Sequence, residues 1–116
     1  MSTRKLKRLK ENKHMLYVLN KAQPKLRKAI LQTAPNELIK AICEITLNIL
    51  ADNHKICNKS KTKLKKYKTQ LRELVKPSRS LASKRKVLIQ KGGSFLPILL
   101  TSILSGIIGK ILRQHE

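Results

Sequence analysis

Cys43, His54 and Cys57 bring two thiols and an imidazole within fifteen residues, the group types that hold zinc. A structural zinc site takes four ligands at short paired spacings. Here His54 and Cys57 form one pair, and Cys43 falls on an apolar helix face. The expectation is a core thiol with two loop residues and no metal. The carboxylates, Glu11, Glu37, Glu44, Asp52, Glu73 and Glu116, are scattered without the paired spacing of acid-base catalysis. With no glycine-rich phosphate loop and no nucleophile elbow, no catalytic residue and no cofactor are expected. The basic start, MSTRKLKRLKENK, leads into no apolar run, so it does not read as secretory, and the two cysteines fit reduced thiols of an intracellular setting.

The chemistry that the composition does favour is electrostatic. Twenty-seven Lys and Arg stand against six Asp and Glu, a formal net charge of +21 over 116 residues. A field of that size implies a polyanionic partner. Double-stranded DNA carries one charge per about 1.7 Å, so the excess matches roughly 36 Å of duplex and predicts tight, sequence-blind, salt-sensitive binding. The basic blocks supply the candidate contacts: Arg4, Lys5, Lys7, Arg8 and Lys10, then Lys61, Lys63, Lys65, Lys66 and Lys68, then Arg79, Lys84, Arg85, Lys86 and Lys91. Lysines outnumber arginines 20 to 7, which favours loose phosphate contact over bidentate contact with bases. Tyr17, Tyr67 and Phe95 are too few aromatics for a base-stacking platform.

Turn and cap signals divide the chain into helices, and no segment alternates as a strand would, so the fold class is all-α. Residues 4–21 set Leu6, Leu9, Leu16 and Leu19 on one face of a basic amphipathic arm, assigned to 1–22. A small bundle follows over 23–76. Pro24 suits a first helical turn, giving a helix over 24–33. Leu38, Ile42, Ile45 and Ile49 repeat as a core face over 36–51, and Leu64, Tyr67, Leu71 and Leu74 do so in a helix from Ser60 to Lys76. Pro77 opens a basic linker, 77–93, ending in a Gly92-Gly93 hinge.

The last segment, 94–116, reads as a separate apolar helix in which Ser94 caps and Pro97 occupies the first turn. Ser102, Ser105, Gly106 and Gly109 form a stripe of small residues, while Phe95, Leu96, Leu99, Leu100, Ile103, Leu104, Ile107, Ile108 and Ile111 cover the rest. Eighteen helical residues span about 27 Å, just under a bilayer core of roughly 30 Å. The stripe allows close helix approach in a membrane, so the expected partners are a membrane or a second copy in a homo-oligomer. A buried core helix is the alternative.

Three stretches in order, KAQPKLRKAILQTAPNELIKAICEITLNIL, KTKLKKYKTQLRELV and LIQKGGSFLPILL, resemble the short basic core-like proteins of Polinton (Maverick) elements and adintoviruses. That family is similar to adenovirus core protein X, and the likeness covers about residues 20–112. It implies a virion component, present in host nucleus or cytoplasm during assembly, that condenses double-stranded DNA and carries a C-terminal helix that is membrane-active or anchors to a capsid protein. The chain departs from adenoviral core peptides in being rich in lysine where they are rich in arginine. Two other classes stay open: a tail-anchored membrane protein with a basic cytoplasmic body, and a small RNA-binding helical protein.

Overall fold

A computed structural model of the chain describes residues 3–50 and 58–105, and every regular element among them is an α-helix. In chain order these are α1 (Thr3–Lys21), α2 (Pro24–Thr33), α3 (Asn36–Leu50), α4 (Asn58–Lys65), α5 (Lys68–Leu74) and α6 (Leu81–Ser105). α2 begins at Pro24, whose missing N–H would have had no helical partner there. α3 is buried on more than one side, because it packs between α1, α5 and α6. Leu38, Ile39, Ala41, Ile42 and Ile45 are all fully covered. Thr46 is buried among them, with its hydroxyl satisfied by donation to the Ile42 carbonyl at 2.8 Å.

The helix expected from Ser60 to Lys76 is two helices. It breaks at Lys66 and Tyr67, where the Tyr67 N–H donates to the Leu64 carbonyl at 2.9 Å, the tighter i to i−3 bond. The core face survives the break: Leu64, Leu71 and Leu74 are buried and Tyr67 half-buried. A step there lets two short helices bend around α6. It also relieves a continuous helix that would stack lysines three and four residues apart.

The larger correction concerns the chain's last third. The hinge expected at Gly92 and Gly93 lies inside α6, which runs on through Pro97 to Ser105. Ser80 starts this helix, its hydroxyl accepting the Ser83 N–H at 3.1 Å, an N-cap fourteen residues before the expected one at Ser94. Nor is the apolar half separate: Phe95, Leu96, Leu99 and Leu100 are fully buried in the core, which also takes in Val87 and Leu88 about two turns earlier. α1, α2, α3, α4 and α5 all pack on α6, so the described part of the expected free tail, residues 94–105, belongs to the central helix of the bundle. The arm expected at 1–22 is likewise part of it, since Leu9, Leu16 and Leu19 are fully covered where α1 meets α3 and α6.

Two local signals were overridden by burial. Pro97 cannot donate to the carbonyl four residues back, but that carbonyl belongs to exposed Gly93, where solvent limits the cost. Both glycines have room for a methyl group. A Cβ on Gly92 would sit 3.7 Å from Leu96 Cβ and Cδ2, and one on Gly93 would meet nothing within 4 Å. Gly93→Ala should therefore stabilise the fold by about 0.5–1 kcal/mol in urea denaturation. A destabilised Gly93→Ala would mean that the position bends as a hinge.

Arginines tie the helix ends together. Arg27, buried near the start of α2, donates from Nε to the Leu19 carbonyl at 3.1 Å and from Nη2 to the Ala22 carbonyl at 2.7 Å. These carbonyls belong to the last turn of α1 and the residue after it, where a cation also meets the negative end of the helix dipole. Arg27→Met should cost about 1.5–3 kcal/mol, measured by urea denaturation, because two buried carbonyls lose a charged donor. Lysine should rescue it poorly, since a single ammonium does not reproduce the guanidinium fork.

Candidate nucleic-acid interface

The helices sort the cations into two groups. Arg8 on α1 donates from Nε to Glu37 Oε2 at 3.0 Å and from Nη1 to Glu44 Oε1, clamping α1 to α3. Lys40 joins this cluster at 3.4 Å from Glu37 Oε1. Partial desolvation pushes the Glu37 carboxyl up, but the hydrogen bonds and charges of Lys40 and Arg8 outweigh it, so the group titrates below the usual carboxylate range. Arg79 donates to the Glu73 carbonyl at 2.9 Å, to Ser83 Oγ at 2.7 Å and to Glu73 Oε1, closing the turn from α5 to α6. Arg85 on α6 reaches the Leu31 carbonyl at 2.8 Å and Asn36 Oδ1 at 2.9 Å, holding the corner between α2 and α3.

Arg8, Arg79 and Arg85 were expected to contact phosphate; the structure instead uses each as an internal clamp. A planar group with five donors can satisfy a carbonyl and a side-chain acceptor at once, which suits arginine to these corners. Lysine, joined by exposed Arg72 on α5, is left as the main surface cation. Lys7, Lys63, Lys65, Lys66, Lys68, Lys86 and Lys91 from the expected set are exposed, and Lys10 and Lys84 are half-buried. Arg4, Lys5 and Lys61 lie on α1 and α4, with side chains outside the described part.

Sequence blocks alone miss Lys21, Lys25, Lys28 and Lys76, all exposed. Their signal was positional: each lies off the apolar face of its segment, in a run too sparse to stand out as a basic block. The buried Arg27 had no such signal, because its acceptors are backbone carbonyls.

The remaining expected groups fall as follows. Ser102, Ile103 and Leu104 belong to α6, whereas Gly106, Ile107, Ile108, Gly109 and Ile111 lie outside the described residues. Among the described residues no helix is long and apolar enough to cross a membrane. Cys43 is buried on α3; desolvation pushes its thiol up to about 11, with the Lys84 charge opposing and the Glu44 charge adding. It is a neutral thiol at pH 7, poorly suited to bind metal or attack an electrophile. His54 and Cys57 fall outside the described residues, and among those described no three metal-ligating side chains gather.

What this surface can do is hold a polyanion by charge. Of the four carboxylates among the described residues, Glu37, Glu44 and Glu73 are engaged by arginine. They therefore do little to neutralise the lysines. Compared with known protein families, with curated proteins and with solved structures, the chain matches none.

Proposed function

We propose that this chain is a non-enzymatic structural protein that binds and condenses double-stranded DNA without regard to sequence. The observation that carries the proposal is the division of its cations: Arg8, Arg27, Arg79 and Arg85 clamp the helices together, while lysines from α1, α2, α4, α5 and α6, with Arg72 on α5, line the exterior. Ammonium groups on flexible stems meet phosphates as point charges and release condensed counterions, a source of affinity that any duplex sequence supplies equally. Placement in a virion core rests on the likeness of residues 20–112 to the Polinton and adintovirus proteins. Contact with capsid or membrane falls, in this proposal, to residues after Ser105, since Phe95, Leu96, Leu99 and Leu100 are occupied by the bundle.

Plasmid DNA titrated with the purified protein tests the proposal. Compaction near charge equivalence, reversed by added salt, is expected by light scattering. Binding that does not respond to salt, or saturation without compaction, would count against it.

A further inference from the structure

Charge is unevenly spread over the bundle. α1 and α3, which pack together, carry eight cations and three carboxylates between them. Residues 58–74, half that length, carry seven cations and one carboxylate, Glu73, which Arg79 holds. The densest positive field is therefore around α4 and α5, where the chain steps from one helix to the other. At this step Lys63, Lys65, Lys66 and Lys68 are all exposed.

The step is also anchored. Leu64 and Leu71 are buried on either side of it, and the Tyr67 ring lies 6.4 Å from that of Phe95 at an interplanar angle of 48°. Exposed Lys91 stands one turn of α6 before Phe95, which extends the basic surface onto the central helix. Proteins that grip single strands stack bases on open aromatic faces. Tyr67, the one aromatic between residues 58 and 74, is half-buried with its ring turned to Phe95.

We infer that the lysine-lined step between α4 and α5 is the principal contact surface for a nucleic-acid duplex, held through backbone phosphates rather than bases. The inference rests on the duplex-binding reading above and goes beyond it by assigning the contact to one face of the bundle. Phosphates bridging these lysines relieve their mutual repulsion, a gain unavailable on the α1 and α3 side, where carboxylates already supply that relief.

Fluorescence anisotropy of a labelled random-sequence duplex, plotted as log K against log salt, tests this with full-length protein. Two quadruple variants are compared: Lys63→Gln, Lys65→Gln, Lys66→Gln, Lys68→Gln, and a control, Lys7→Gln, Lys21→Gln, Lys25→Gln, Lys28→Gln. Each lost phosphate contact removes about 0.9 from the slope, so the step variant should lose about 3 to 4 and the control about 1 or less. Replacing the same four step lysines by arginine should retain the wild-type slope, which separates lost charge from altered fold. Equal losses in the two glutamine variants would overturn the inference and leave polyanion binding standing. A wild-type affinity independent of salt would overturn both. A single strand of equal length bound as tightly as the duplex would overturn the duplex assignment.

Discussion

Truncating the chain after Gly93 should abolish cooperative folding, seen as loss of the far-UV helical signal and of a sigmoidal urea transition. The deletion removes Phe95, Leu96, Leu99 and Leu100, each fully buried, from the helix on which α1, α2, α3, α4 and α5 all pack. Phe95→Ala alone should cost about 3–5 kcal/mol and Leu99→Ala about 2–5 kcal/mol, as lost transfer energy plus an unfilled cavity. A domain of this size has a total stability of about 5–15 kcal/mol, so the pair removes much of it and the truncation removes more. The opposite result is informative: a truncated chain that still unfolds cooperatively would mean that residues 23–76 hold a core of their own and that the apolar helix is an appendage. Phe95→Leu, which keeps most of the volume, should cost far less than Phe95→Ala and lose the ring contact with Tyr67.

The apolar run exposes where sequence and structure part. Helix register was legible: Leu9, Leu16 and Leu19, then Leu38, Ile42 and Ile45, then Leu64, Leu71 and Leu74 all face the core as their spacing requires. The start of α2 at Pro24 was legible too, because proline's missing donor is a local fact. Gly92, Gly93 and Pro97 were equally local signals, yet they marked no boundary. The apolar residues flanking them, Val87 and Leu88 before, Phe95 and Leu96 after, gain more from one continuous buried stripe than the helix loses at three weak positions. An apolar helix is also ambiguous in itself, since a bilayer and a protein interior select the same side chains. Only its neighbours decide. The arginine roles were hidden for a different reason: Arg85 finds its acceptor 54 residues away at Leu31 and Arg27 finds backbone, and neither leaves a pattern in sequence.

Salt should act on this protein with opposite signs in its two states. Its affinity for a random duplex should fall by about 10³–10⁵ between 50 and 200 mM salt, the loss expected where 6–10 phosphates are contacted. That corresponds to about 4–7 kcal/mol of binding energy, far above what one hydrogen bond contributes. Over the same range the free protein should become more resistant to urea. With 27 cations and six carboxylates, like-charge pairs far outnumber attractive ones, and screening weakens the surplus repulsion more than it weakens the few clamps at Glu37, Glu44 and Glu73. Arg8 and its Glu44 partner are both largely shielded from solvent, which screens them less than exposed lysines. If surface ion pairs were what held the bundle together, salt would lower stability and affinity alike. Urea midpoints for the free chain and anisotropy for the complex, taken in matched buffers, separate the two cases. Opposite slopes identify the surface lysines as groups that strain the free fold and are relieved by phosphate.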